Sequence, residues 1–365
     1  GDFPCPKTIS LTKEGRFVGE KAPFVIRAAD GAKPRLLGST PVGGWMRTSL
    51  NGRDDVWVAD ISSVTTNRLN LFFYDGRSMD MCRYPNRDAA RPFLGGWAYV
   101  DGTPISMYKP SPEDDETRVR LRPGDVRPWS DPVEGRINVF PRYNWWNTVN
   151  DIAAVSNGCL VLREPMRPGF PTRAYDRYHV MGYREELDAP GEFYYDRKTK
   201  KVDFIPPPGG VKEFRAVTKD GPIVRMKGAS DVAFEGLTFE YAVGDGLDFN
   251  ACTNCRVENC TVANVGGNGV VLRGGRGCEI RATRIDATGL CAVKIDAGDR
   301  WTLTSCGHLV ENCEMARFGT VRRTYAPGVH VQGVGTTLRG NRLHDAPHSA
   351  ILYHANDCLF ERNEV

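Results

Sequence analysis

Residues 222–244 read PIVRMKGASDVAFEGLTFEYAVG, and the two segments that follow have the same length and apolar residues at matching places. Residues 245–267 read DGLDFNACTNCRVENCTVANVGG, and residues 268–290 read NGVVLRGGRGCEIRATRIDATGL. Two columns of apolar residues coincide at this 23-residue period: Phe234, Val257 and Ile280 form one, and Phe239, Val262 and Ile285 form the other. Stacked units of constant length indicate a solenoid.

The repeat continues to the end of the sequence. A fourth unit begins at Cys291 if residues 299–306 are an insertion, a fifth begins near Gly328, and a last unit ends at Val365. Apolar and polar residues alternate within each unit at a period of two, which is typical of strands. The LxxLxL consensus of leucine-rich repeats is absent. Short strands, polar turns and this coil length predict a right-handed parallel β-helix from about Pro222 onward.

The earlier part of the chain predicts two further regions. From about Trp45, short alternating runs lie between Pro, Gly and Asp turns, a pattern typical of an antiparallel β-sandwich. We therefore predict an all-β fold with opening β-helix coils over residues 1–44, an inserted antiparallel β-sandwich over 45–215 and the main β-helix over 216–365. Because the last unit stops in mid-coil, we also expect the β-helix to continue beyond Val365.

The composition narrows the classes of partner. The 365 residues carry 48 Lys and Arg against 45 Asp and Glu, with no basic run of the kind that neutralises phosphates, so nucleic acid is not an expected partner. No stretch approaches the roughly 18 continuous apolar residues of a membrane helix. The 11 cysteines are odd in number, and the repeat stacks Cys255 with Cys278 and Cys358. We interpret them as core thiols and predict no metal site.

The first strand of each unit has two outward positions, and these predict a polar wall along one side of the β-helix. One column contains Arg225, Asp248, Val271, Lys294, His330 and Leu352, and the other contains Lys227, Asn250, Arg273, Asp296, Gln332 and His354. Equivalent residues of successive coils stack about 4.8 Å apart. A sugar chain can lie along such a sheet, so we expect a polysaccharide or oligosaccharide partner. The expected binding residues on the wall are Arg273, Lys294, His330, Gln332 and His354.

Two carboxylates of the wall are candidates for catalysis. Asp248 and Asp296 lie two coils apart, which favours an inverting glycosidase over a retaining one, whose carboxyl groups are about 5 Å apart. The alternative for Asp296 is an ordinary cross-strand ion pair with Arg273, which adds little stability. Lys294 and His330 have the same two interpretations, as catalytic or binding groups and as members of surface ion pairs.

A cluster of three histidines precedes and enters the last strand of the wall. His344, His348 and His354 lie within eleven residues, which suggests either a metal site or a catalytic base. Strand alternation and the turn at Pro347 place His344 and His348 in the loop before the strand, which favours a polar rim. His348 is therefore our candidate for catalysis or substrate contact.

Two other segments contain aromatic residues that can bind sugars. The loop 319–327 includes Arg322, Arg323 and Tyr325, and an arginine pair beside a tyrosine can hold an acidic sugar. We expect Tyr325 to bind substrate unless the loop is only a solvated surface loop. Trp145 and Trp146 can stack on sugar rings, although one of two adjacent aromatics in a strand normally faces the core.

Four segments resemble secreted bacterial right-handed β-helix proteins related to glycoside hydrolase families 120 and 141. They are residues 22–28 (APFVIRA), the run from YDG at 74–76 to RYPN at 83–86, residues 187–196 (LDAPGEFYYD) and residues 341–351 (NRLHDAPHSAI). The resemblance covers most of the chain. It implies an exported, extracellular or periplasmic protein that hydrolyses xylose-, fucose- or related glycosidic bonds with paired carboxylates. It assigns no catalytic residue, because the acidic segment expected after this region is not in the sequence.

Three functions are consistent with these patterns. The first is a glycoside hydrolase, which needs no cofactor. The second is a polysaccharide lyase or epimerase, in which Lys294, Arg273 or a histidine removes a proton beside a uronate, often with calcium. The third is a non-catalytic surface or matrix protein that binds glycans.

Overall fold

The computed structural model describes residues 1–13, 23–64, 69, 71–92, 94–209, 213–217 and 220–365. Ala22, the first residue of one segment used for the resemblance, lies outside these residues. The chain divides into two compact units, one formed by Gly1–Thr40 with Ala216–Val365 and the other by Pro41–Arg215. In the described part of the chain no helix is long and apolar enough to cross a membrane.

The first unit is a parallel β-helix of three seven-stranded sheets. Sheet 1 contains Ile9–Thr12, Val224–Lys227, Leu247–Asn250, Val270–Arg273, Val293–Ala297, Val329–Val334 and Ile351–Asn356. Sheet 2 contains Phe24–Arg27, Val232–Glu235, Arg256–Glu258, Glu279–Arg281, Leu309–Glu311, Thr337–Arg339 and Leu359–Glu361. Sheet 3 contains Asp2–Pro4, Arg35–Leu37, Thr238–Ala242, Thr261–Val265, Arg284–Thr288, Glu314–Ala316 and Arg342–His344. The chain visits the sheets in turn and so winds into coils.

The apolar columns read from the sequence form the interior of this β-helix. In sheet 3 the inward residues are Phe239, Val262, Ile285, Met315 and Leu343, and each is at most 1% exposed. Burying a side chain of this size contributes roughly 1.5–3 kcal/mol. The insertions at 299–306 and 317–327 lie between strands, so the strands on either side of them stay in register.

In the six coils after Pro222, the chain bends from sheet 2 to sheet 3 through one residue in the left-handed conformation. The six residues at this corner share φ values between 43° and 68°, and they are Gly236, Asn259, Ala282, Asn312, Gly340 and Arg362. Glycine and asparagine adopt this conformation most readily, which explains four of the six. The corner repeats at the same place in these six coils, so each new strand begins beside its predecessor.

The stacked cysteines lie inside the β-helix beside these corners. Cys255 and Cys278 are buried in the core, and Cys358 packs against it. Cys260 and Cys313 occupy a second column that continues to Asn341. The amide of Asn341 satisfies the backbone there, because its Oδ1 accepts a hydrogen bond from the Cys313 N–H at 3.0 Å and its Nδ2 donates to the Val310 carbonyl at 2.9 Å.

The second unit consists mainly of antiparallel pairs. One sheet has the order Asp80–Met81, Glu192–Asp196, Lys201–Phe204, Arg53–Asp60 and Met46–Leu50, of which only the first pair is parallel. Another has the order Arg83–Tyr84, Arg177–Met181, Arg136–Val139, Thr148–Ser156, Cys159–Leu162 and Arg118–Arg120, with Ala98–Tyr99 also on Arg177–Met181. Ser39–Val42, Phe214–Val217, Phe72–Tyr74 and Arg77–Ser78 form a four-stranded sheet. Single 3-10 turns occur at Ser62–Val64, Pro123–Asp125, Pro132–Glu134 and Arg184–Glu186.

The corner residues lead to a prediction about stability. Ala282 is exposed and has φ of 43°, so its β-carbon is strained and makes little packing contact. Ala282→Gly should increase the free energy of unfolding by about 1 kcal/mol. Ala29→Gly is the matched control: Ala29 is also exposed but outside the left-handed region, so this change should destabilise by about 0.5–1 kcal/mol. Urea denaturation measures both, and equal destabilisation by the two changes would contradict the proposed role of the corner.

Candidate functional site

The outward side chains of sheet 1 form two ladders in the predicted registers. The first ladder is Ser10, Arg225, Asp248, Val271, Lys294, His330 and Leu352. The second is Thr12, Lys227, Asn250, Arg273, Asp296, Gln332 and His354. We call this surface the polar wall. It brings together most of the site residues proposed from sequence.

Asp248 is held between two arginines and is only 6% exposed. Arg225 donates from Nε to its Oδ2 at 3.2 Å, and Arg273, from the other ladder and the next coil, donates from Nη1 to its Oδ1. Val271, directly beside Asp248, carries no charge that would compete for this contact. Both oxygens of Asp248 are thus occupied, which favours a role in positioning the arginines.

The expected ion pair between Arg273 and Asp296 does not form. Arg273 contacts Asp248 and, at 3.8 Å, Asp245 instead. Asp296 is exposed, and among the described residues its carboxylate makes no hydrogen bond or ion pair. Of the two sequence interpretations of Asp296, the ion pair with Arg273 is therefore wrong, and the structure leaves this carboxylate open to solvent and to a ligand.

The separation of the two aspartates bears on hydrolysis. Asp248 pairs with Val271, and Val271 pairs with Lys294, which is two residues before Asp296. Two strand spacings and two residue rises place their α-carbons about 12 Å apart. Inverting glycosidases have carboxyl groups about 6.5–9.5 Å apart. Because both oxygens of Asp248 already bind arginines, Asp248 is a poor member of such a catalytic pair.

His330 lies in a cationic environment beside Lys294, its direct neighbour across the strands. Burial lowers the pKa of the His330 imidazole, and the charges of Lys294 and Arg322 lower it further. Asp296 acts in the opposite direction but does not reverse the shift. The imidazole is consequently neutral at neutral pH, the state in which it can accept a proton.

The loop after sheet 3 that contains Arg322 and Tyr325 is fixed at its beginning. Arg317 forms an ion pair with Asp286, a residue only 5% exposed that also binds Arg284 at 2.8 Å. Backbone N–H groups of Val321 and Arg322 then donate to the Gly289 carbonyl at 3.1 and 3.0 Å. The ring of Tyr325 contacts that of His348, with centroids 5.5 Å apart. This anchoring gives Arg322 and Tyr325 defined positions.

The three histidines do not form one site. His344 ends a strand of sheet 3, contrary to the prediction of a loop, and contacts Asp345 at 2.8 Å and Glu314 at 3.3 Å. His348 contacts its neighbour Ser349 at 3.1 Å, whereas His354 contacts Arg300 at 3.0 Å. Within the described ranges no three His, Cys, Asp or Glu side chains are grouped closely enough to hold a metal ion.

Sequence reasoning missed three residues that shape the wall. Asp245 contacts Arg273 and also accepts hydrogen bonds from Asn268, which is one repeat later, so the 23-residue spacing was its signal. Arg300, in the insertion at 299–306, contacts His354 and Asn356, which lie 54 and 56 residues later in the chain. No local sequence pattern indicates contacts over such separations. Asp286 looked like an ordinary strand residue, because its partner Arg317 lies in the next coil.

Comparison with known proteins supports the fold. Residues 222–317 match the family described as right handed beta helix region. This match confirms the predicted handedness. The fold is a right-handed parallel β-helix. No curated protein matches the chain in sequence.

Several solved structures resemble the chain. A glycoside hydrolase is similar over 100% of this chain and 88% of its own, with 13% identity and a TM-score of 0.65. The alginate lyase from Paenibacillus sp. str. FPU-7 covers 40% of this chain and 53% of its own, with 16% identity and a TM-score of 0.33. A GH87 α-1,3-glucanase in complex with nigerose covers 85% and 83%, with 10% identity and a TM-score of 0.31. At such identities the first likeness concerns the fold alone, and the other two scores are too low to support an argument.

The two aspartates should respond differently to neutralisation. Asp248→Asn removes the negative charge from a buried position and leaves Arg225 and Arg273 without their anionic partner. We therefore expect a loss of about 1–3 kcal/mol in the free energy of unfolding. Asp296→Asn changes an exposed, unpaired group and should alter stability by less than about 0.5 kcal/mol. Denaturant titration of both variants tests this, and equal losses would show that Asp296 also has a structural partner.

The pKa of His330 should depend on Lys294. Removing that charge in Lys294→Ala should raise the pKa of His330 toward the ordinary histidine value, because one of the groups that oppose protonation is gone. NMR titration of the imidazole signal, assigned with His330→Ala, measures the shift. Lys227→Ala, from the same wall but outside the groups that act on His330, is the control. An unchanged pKa in Lys294→Ala would refute the proposed electrostatic coupling.

Proposed function

We propose that this protein is a carbohydrate-active enzyme that binds an acidic polysaccharide along the polar wall and cleaves it beside His330. The observation that carries the proposal is the position of His330 directly beside Lys294 on sheet 1, with the charge of Arg322 also acting on its imidazole. A neutral base next to fixed positive charge matches a sugar that carries a carboxylate and a removable proton. Such polymers occur outside cells, so we also propose an exported location.

The charge of the wall supports an acidic partner. Its cations are Arg225, Lys227, Arg273 and Lys294, and its anions are Asp248 and Asp296. Asp248 is already neutralised by two arginines, which leaves an excess of positive charge. Parallel strands place these groups about 4.8 Å apart. Uronate or sulfate groups along an extended chain can therefore meet several cations at once, and Arg300 and Arg322 add two more beside the sheet.

Elimination is the reaction that the described side chains favour. Lys294 and Arg322 would neutralise the uronate carboxylate, which makes the hydrogen on the adjacent carbon more acidic. His330 would take this proton, the electrons would form a carbon–carbon double bond, and the glycosidic C–O bond would break, with its oxygen taking a proton from solvent. Asp248 and Asp296 are too far apart, and Asp248 too fully occupied, to hold a calcium ion together.

Hydrolysis is the second candidate, because the chain resembles a glycoside hydrolase over its whole length. In that case Asp296, the exposed carboxylate of the wall, would be one of the two catalytic groups. Asp248 does not fit as the other. A hydrolase would therefore require a second carboxylate from outside the two ladders.

One assay separates these functions. The protein is incubated with polygalacturonate and alginate as acidic polymers and with dextran as a neutral one, while ultraviolet absorbance and reducing ends are recorded. Elimination should produce both new absorbance and new ends from an acidic polymer, and His330→Ala should reduce the rate at least 100-fold. Thr337→Ala, a polar residue of sheet 2 outside the polar wall, should retain most of the activity.

The other results are equally informative. Reducing ends without absorbance, abolished by Asp296→Asn, would establish hydrolysis and overturn elimination. Binding of acidic polymers without any cleavage would indicate a non-catalytic glycan-binding protein. If the protein neither binds nor cleaves an acidic polymer, the proposal is overturned.

A further inference from the structure

The second unit carries a group of aromatic side chains that the polar wall does not explain. Tyr143 stacks on Trp145 with ring centroids 4.4 Å apart, Trp145 lies 5.9 Å from Trp146, and Trp146 lies 4.6 Å from Phe170. Tyr108 extends the group at 5.9 Å from Tyr143. We call these five residues the aromatic strip. These contacts join the five rings into one group.

The strip is open to solvent. Tyr108 is 74% exposed and Trp145 is 46% exposed, and none of the five rings is buried. The expectation that Trp145 or Trp146 faces the core was therefore wrong, because both precede the strand Thr148–Ser156 and lie in a turn. Exposed aromatic surface of this extent is uncommon without a binding role.

The loops that carry the strip are held in place by two arginines, of which Arg173 is buried and Arg142 is partly exposed. Arg142 donates from Nε to the Met107 carbonyl at 2.8 Å and from Nη1 to the Gly169 carbonyl at 3.0 Å, which ties together the three loops of the strip. Arg173, only 6% exposed, donates to the carbonyls of Ser106 and Lys109 at 2.6 and 2.8 Å. The rings are thus fixed before any ligand arrives, which reduces the entropy lost on binding.

A second buried group fixes the turn that carries Tyr143 and Trp145. The Asp176 carboxylate, 3% exposed, accepts hydrogen bonds from the Arg142 N–H at 2.6 Å and from Asn144 Nδ2 at 3.2 Å. Arg142 and Asn144 both have positive φ, at 56° and 54°, a costly arrangement for which these bonds compensate. The structure therefore maintains a strained turn that presents two stacked rings to solvent.

The charges around the strip indicate what it binds. The guanidinium of Arg167 lies over the rings of Trp146 and Phe170 at 5.6 and 5.2 Å, and that of Arg142 lies over Tyr143 at 5.0 Å. Arg167 is exposed, and its guanidinium makes no hydrogen bond or ion pair with any residue that the structure describes. Flat rings suit the C–H face of a pyranose, and cations between the rings suit a carboxylate or sulfate on it.

We propose that the aromatic strip is a second carbohydrate-binding surface, one that takes the pyranose rings of an acidic polysaccharide with Trp145 as its main platform. This proposal rests on the proposed function in one respect, which is that the polymer is acidic. The strip lies wholly in the second unit and holds substrate without touching the reacting bond. It raises the affinity of the protein for the polymer.

Affinity electrophoresis tests the proposal on the whole chain. Native gels contain polygalacturonate, alginate or dextran, and the migration of wild type is compared with that of Trp145→Ala and Arg167→Ala. We expect retardation of wild type by an acidic polymer and an increase of at least tenfold in the Kd for Trp145→Ala. Tyr175→Ala removes an aromatic ring of similar exposure, 57%, outside the strip and should migrate as wild type. Circular dichroism confirms that each variant is folded, and Trp145→Phe should restore part of the binding.

The outcomes distinguish this inference from the proposed function. If wild type is retarded and Trp145→Ala is retarded equally, the strip does not bind the polymer, while binding by the polar wall stands. If wild type shows neither retardation nor cleavage, both proposals fail. Retardation by dextran alone overturns the strip as a site for acidic sugars. A dimer in light scattering that becomes a monomer in Trp145→Ala overturns it in favour of contact between copies of this chain.

Discussion

The structure depends on the in-register stacking of parallel strands, one coil upon the next. Each strand of a coil bonds through its backbone to the equivalent strand of the following coil, and a slip of one residue would exchange the inward and outward faces. The left-handed corner between sheets 2 and 3 fixes where the six coils after Pro222 bend. Extra residues can therefore enter only between strands, and the insertions at 299–306 and 317–327 both do so.

This stacking converts distant residues into neighbours and sets the chemistry of the wall. Lys294 and His330 are 36 positions apart in the chain but lie side by side, and their proximity helps to keep the imidazole neutral. The same geometry joins Arg225 and Arg273 to Asp248. In this ladder some charged side chains form ion pairs with each other and others do not. The ones that are unpaired among the described residues, Asp296 and Lys294, are those that a ligand can contact.

The two units present ligands with different physical surfaces. The polar wall is a flat array of charges on regular strands, which suits repeated ionic contacts along an extended polymer. The aromatic strip is made by three irregular loops, which Arg142 and the buried Arg173 and Asp176 tie together. Binding to the first should weaken with salt, because screening acts on exposed charges, whereas stacking on the second should be less sensitive.

The sequence by itself determined the fold and the two ladders of the wall, because apolar residues at a constant spacing can be buried together in only one register. Asp248, Lys294 and His330 could be placed on one face from that spacing alone. Only the tertiary structure decided which charges pair: Arg273 turns to Asp248 and not to Asp296, since side-chain direction depends on all neighbours at once. The contact of Arg300 with His354, the anchoring of the Arg322 loop through Asp286 and the aromatic strip likewise depend on loops meeting in space, for which the repeat carries no pattern.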